Sequence, residues 1–92
     1  MELCIPKVSK NISQKTIFQA FCKLNIGYIV KIIENPLRAD PNFKRVIIII
    51  NWDNTQKLAQ EMQEVLSQPK EHYNLVYDMP WYWQVYASHP QR

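Results

Sequence analysis

The residues of this chain whose types could hold a metal or move a proton are few and badly spaced for either task. Neither His72 nor His89 has a cysteine or carboxylate at ligand spacing, as a zinc site requires. Cys4 and Cys22 stand far apart, and the pair reads as two buried, reduced thiols. Glu61 and Glu64, three apart, share one side of a helix, which a solvated face explains without any acid–base role. Ser9, Ser13 and Ser67 fall where a loop, a cap and a helix end belong, and none has the base that would make it a nucleophile. A single glycine, Gly27, excludes glycine-rich phosphate loops and dinucleotide fingerprints. No catalytic triad, metal set or cofactor cradle can be assembled, so the expectation is a binding protein and not an enzyme.

What remains is the chemistry of contact. Eleven Lys and Arg against eight Asp and Glu give a net charge of +3, which permits a polyanionic partner. Five tyrosines and three tryptophans supply flat faces. Their value depends on the elements that position them.

Leu3 to Val8 reads as a short strand. Ser13 caps a helix with Ile17, Ala20, Phe21 and Leu24 at helical spacing, and Gly27 is expected to close it in the left-handed conformation. Tyr28 to Glu34 is β-branched and ends at Asn35-Pro36, hence a second strand, and Pro36 to Asn42 is a loop. Phe43 to Trp52, with Val46 followed by four isoleucines, is the strongest strand pattern in the chain. Asn54 is placed to cap a second helix, with Leu58, Ala59, Met62, Val65 and Leu66 as its apolar stripe and Pro69 as its stop. Tyr73 to Ala87 is the last strand, split by Pro80 into two extended pieces. The 92 residues therefore predict one domain, 1–92. Its fold class is α+β, a ferredoxin-like βαββαβ sandwich with a four-stranded antiparallel sheet and both helices on one face.

This order resembles the RNA-recognition motif over nearly the whole chain. Leu3-Cys4-Ile5-Pro6-Lys7-Val8 stands at that family's first-strand hexamer, and Arg45-Val46-Ile47-Ile48-Ile49-Ile50-Asn51-Trp52 at its third-strand octamer, which begins basic and ends aromatic. Ile17, Phe21, Gly27, Ile29 and Ile32 suit the first helix and second strand; Leu58, Ala59, Met62 and Leu66 suit the second helix; Trp83, Val85 and Ala87 suit the closing strand. Tyr77-Asp78-Met79-Pro80-Trp81-Tyr82-Trp83 also resembles the tail of small, uncharacterised RNA-recognition-motif-like proteins of large DNA viruses. The resemblance implies single-stranded RNA as partner, bound on the open face of the sheet. The three places where the family stacks bases on aromatics fall here on Cys4, Ile47 and Ile49, and Val46 replaces its third-strand glycine. The standard stacking mode is therefore lost.

Strand parity assigns the open face. Arg45, Ile47, Ile49 and Asn51 point away from Ile48, Ile50 and Trp52; Tyr82, Gln84 and Tyr86 point away from Trp83 and Val85; Cys4 joins them, with Tyr28, Lys31 or Ile33 from the second strand. Trp81 shares the parity of Trp83 and is expected in the core, or at the sheet edge where Pro80 breaks that parity. Two uses of this face follow. Lys7, Tyr28, Lys44, Arg45, Tyr82, Tyr86 and Arg92 would hold a nucleic-acid single strand by stacking and phosphate contact, with little sequence preference. Alternatively Cys4, Ile47, Ile49, Tyr82 and Tyr86 form an apolar patch for a protein or a second copy, unless the C-terminal tail covers it. The N-terminus lacks a signal-peptide pattern and the longest apolar run is strand-length, so an intracellular, soluble protein is expected, without a membrane partner. For a viral chain that place would be the host cytoplasm or the virus particle.

Overall fold

Val46, Ile48 and Ile50 are fully buried while Arg45 and Asn51 are exposed, a two-residue period that makes Phe43–Trp52 (β3) a strand with one face in the core. The computed structural model of the chain, which describes residues 2–68, 71–78 and 81–87, pairs β3 along both edges. On one side lies Gly27–Pro36 (β2), on the other Glu2–Ser9 (β1), both antiparallel. Tyr73–Asp78 (β4) and Trp81–Ala87 (β5) complete one sheet in the order β2-β3-β1-β5-β4.

The fifth strand corrects the expected four-stranded βαββαβ sandwich: the chain is α+β, but its order is βαββαββ. Pro80, the site of the expected break, lies outside the described residues, but the chain reverses between Asp78 and Trp81, because Val76 pairs with Tyr82 and Asp78 with Trp81 across an antiparallel ladder. Two extended pieces that parity alone reads as one interrupted strand are two strands of a hairpin. Periodicity measures direction within a strand and not the sign of its return.

Helix Gln14–Cys22 (α1) begins where expected, since Ser13 Oγ accepts from the Thr16 amide at 3.2 Å. It buries Ile17 and Phe21. Gly27 does not close it: Lys23 is its C-cap and Asn25, at φ 53°, takes the left-handed turn. Gly27 opens β2 instead, where a Cβ would lie 2.9 Å from the Trp52 Cα and closer still to the Asn51 carbonyl oxygen. Its role is close backbone approach.

Helix Lys57–Leu66 (α2) buries Ala59, Met62 and Leu66, whereas Val65 of the expected stripe is exposed. Its N-cap is Gln56 and not Asn54, and Gln56 makes no side-chain cap bond. Asn54 anchors the helix from outside: its carbonyl accepts from Gln60 Nε2 and its Oδ1 from Gln63 Nε2, both at 2.6 Å. The expected stop at Pro69 lies outside the described residues; Ser67 is the C-cap.

Residues buried from both helices join Leu3, Ile5, Val8, Val46, Ile48, Ile50, Leu75, Trp83 and Val85 in one cluster. The strand members fall on one face, Val8 returned to it by the irregularity after Ile5, so both helices cover one face of the sheet. Each large aliphatic side chain taken from water there contributes roughly 1.5–3 kcal/mol. No helix among the described residues is long and apolar enough to cross a membrane.

Candidate functional site

The other face carries the residues that parity assigned to it. Register places Ile33, Ile47, Cys4 and Tyr86 in one row across β2, β3, β1 and β5. Lys31, Ile49 and Glu2 form the next row, and Tyr28 sits opposite Asn51. Tyr28, Lys31 and Ile33 all reach this face because Val30 is bulged out of the β2–β3 ladder between Ile29 and Lys31. Ile33, Ile47, Ile49 and Tyr86 are half-buried and Cys4 is buried by its neighbours. Both helices lie on the opposite face, and His72 packs against Tyr86 at one end of the row. The centre is thus a tightly laid aliphatic strip.

Cations border the strip, though not all those expected. Lys44 is withdrawn from the site. It is only 8% exposed on the helix side of the sheet, where its Nζ donates to Glu34 Oε2 and to the Ile12 carbonyl, each at 2.5 Å. Its position opposite Val8 in the register gives it the parity of the core, one residue out of phase with Arg45. Arg45 does reach the open face, exposed, with Nε donating to Cys4 Sγ at 3.3 Å. Lys7 is there too, its Nζ 4.2 Å from the centroid of the Phe43 ring. Lys31 adds a third cation, and none of the three is in an ion pair among the described residues. Arg92 lies outside the described residues.

The tyrosines divide into two kinds. Tyr28 (72% exposed) and Tyr82 (50%) offer free rings. Tyr86 is engaged: its ring packs at 5.2 Å against His72 and its hydroxyl donates to Gln84 Oε1 at 3.2 Å. Trp83 is in the core, stacked on Tyr77 at 4.1 Å. Trp81 is not. It is 64% exposed at the first position of β5, directly after the reversal, so the shared parity with Trp83 does not bury it. Cys22 is likewise exposed and free, against the expectation of two buried thiols.

One feature of the face escaped sequence reasoning. Among the described residues β1 pairs with β5 at Leu3–Ala87 and Cys4–Tyr86 alone, and the β1–β3 ladder is irregular between Ile5 and Val8. Pro6 sits where the β5 pairing stops, and its ring nitrogen has no hydrogen to continue it. The strands part there around a cleft of about 270 Å³ lined by Pro6, Lys7, Tyr82, Trp83 and Gln84. A proline inside a strand that must pair on both edges was the available signal.

Among the described residues, no three His, Cys, Asp or Glu side chains gather into a metal-binding group. Among the described residues, the carboxylate with a displaced acidity is Asp53, at the turn after β3. The Thr55 hydroxyl at 2.5 Å and the Thr55 amide at 3.0 Å hold it below the usual range by hydrogen bonding to the charged form. The arrangement suits adsorption of a planar, anionic polymer or of an apolar surface. No family model, no curated protein and no solved structure matches the chain.

Proposed function

We propose that this chain is a non-catalytic module that binds single-stranded nucleic acid on the face of its sheet opposite the helices. The observation that carries the reading is the company kept by that face: exposed tyrosine rings at Tyr28 and Tyr82, with Lys7, Lys31 and Arg45, in no ion pair among the described residues, between and beside them. A tyrosine stacks on any base and adds about 1–3 kcal/mol per base, and each cation holds a phosphate. The aliphatic strip excludes water beneath the strand without reading sequence. The resemblance to the RNA-recognition motif supports the same surface, with the stacking rings displaced from the middle of the face to its margin.

Fluorescence anisotropy of labelled mixed-sequence single-stranded RNA, with DNA alongside, at two salt concentrations tests the reading. Affinity falls steeply with salt, and Arg45→Ala flattens the log–log slope by about 0.7, the value for one phosphate contact on a single strand. Tyr82→Ala weakens binding at every salt concentration. Absence of binding at low salt, or affinity indifferent to salt, refutes it.

The continuous row Ile33–Ile47–Cys4 favours a second reading, in which the strip pairs with a second copy of the chain. Ile47→Asp then abolishes self-association in sedimentation without unfolding the domain, and a wild-type monomer at all concentrations removes this reading.

A further inference from the structure

The cleft at Pro6 has a chemistry that the flat face lacks. We infer that it seats a single unstacked base of the bound strand and selects a base that presents carbonyl acceptors, an inference that rests on the nucleic-acid reading above. At about 270 Å³ it is smaller than the roughly 300–1,000 Å³ of drug-sized sites and suits one planar ring system. Pro6 and Tyr82 stand on the two parted strands and give it apolar and aromatic walls.

Its polar groups are biased in one direction. The Tyr86 hydroxyl donates to Gln84 Oε1 at 3.2 Å, which holds the amide oxygen toward Tyr86 and leaves both amino hydrogens of Gln84 to donate. Of the other lining side chains, Lys7 and Trp83 carry only donors, and the Tyr82 hydroxyl donates as well as accepts. Uracil or thymine offers a carbonyl at the ring position where cytosine carries an amino group, so the Gln84 amino group donates to the first and meets another donor in the second. The bias does not depend on the sugar, and the same preference holds for RNA and DNA.

Labelled oligo-U, oligo-C, oligo-dT and oligo-dC are the probes, titrated into wild type, Gln84→Glu and Gln84→Leu at two salt concentrations. Wild type binds U over C, and dT over dC, by roughly tenfold, the scale of one good polar base contact. Gln84→Leu removes the preference and keeps the salt slope, because no phosphate contact is lost. Gln84→Glu, which exchanges a donor for acceptors, loses or reverses it. If wild type binds U and C equally, or if Gln84→Leu keeps the preference, the base seat is refuted while the nucleic-acid reading stands. If wild type binds none of the four strands at low salt, both fall together.

Discussion

Lys44→Met separates a structural lysine from a phosphate-binding one. The Lys44 ammonium holds the Glu34 carboxylate and the Ile12 carbonyl on the helix side of the sheet, and its side chain is 10% exposed against 28% for that of Glu34. Methionine keeps the apolar stem in place and deletes the charge. Two groups are then orphaned. A fully buried pair broken this way costs about 3–5 kcal/mol, but Glu34 retains enough access to water to recover part of its hydration. The Ile12 carbonyl adds about 1 kcal/mol for its lost partner. The expected destabilisation is about 2–3 kcal/mol, which for a domain of this size lowers Tm by roughly 10–20 °C. Thermal and urea unfolding followed by circular dichroism measure it. Adding Glu34→Gln to Lys44→Met recovers part of the loss, because the unpaired charge is gone. A Lys44→Met protein as stable as wild type but weaker on single strands would show that Lys44 faces the ligand, and the buried assignment would be wrong.

Gly27→Ala places a methyl against the Asn51 carbonyl and the Trp52 Cα, so the start of the β2–β3 pairing must shift; a loss of roughly 1–3 kcal/mol in urea unfolding is expected, and a neutral substitution refutes the close approach. Thiol titration of the native protein labels Cys22 at once and Cys4 only after denaturant is added, and equal rates contradict the burial of Cys4. Asp53 has a folded pKa below its unfolded value, so its contribution is fully present above the unfolded pKa and lost as pH falls through the folded one. Asp53→Asn therefore lacks that part of the acid-side decline, and a stability profile unchanged below pH ~4 would refute the bonding to Thr55.

The parity of β3 was legible because an isoleucine run bounded by Arg45 and Asn51 allows only one phase once a core is required. The same argument placed Cys4, Ile47 and Ile49 on the open face. Lys44 was misplaced because adjacency to Arg45 suggests a shared basic patch, whereas adjacent strand residues point to opposite faces; burying a lysine needs a partner, and Glu34 arrives only when β2 pairs with β3. The fifth strand was hidden for a related reason. Nothing local distinguishes a kinked strand at Pro80 from a hairpin, and the ladder between Leu75 and Trp83 decides it. Asn54 looked like a cap by type, but a capping bond requires geometry that its two glutamine contacts replace.

The spacing of the free tyrosines sets a length requirement. Tyr28 lies on β2 at the level of Asn51, and Tyr82 lies four residues along β5 from Tyr86, which is level with Cys4 and Ile47. The two rings therefore occupy diagonally opposite corners, separated by about eight residues along the strands and three strand spacings across them. At about 3.4 Å and about 4.8 Å respectively, the diagonal is about 30 Å. A short oligonucleotide reaches one corner only, whereas a strand within the roughly 4–16 nucleotides of single-strand sites can engage both. Affinity should climb with length until the diagonal is spanned and then level off. Tyr28→Ala and Tyr82→Ala each weaken a spanning strand by roughly 1–3 kcal/mol. On a strand too short to span, bound against the cleft, only Tyr82→Ala has that effect. If Tyr28→Ala weakens short and long strands equally, the strand does not cross the sheet between these corners, and the path must be redrawn along β2.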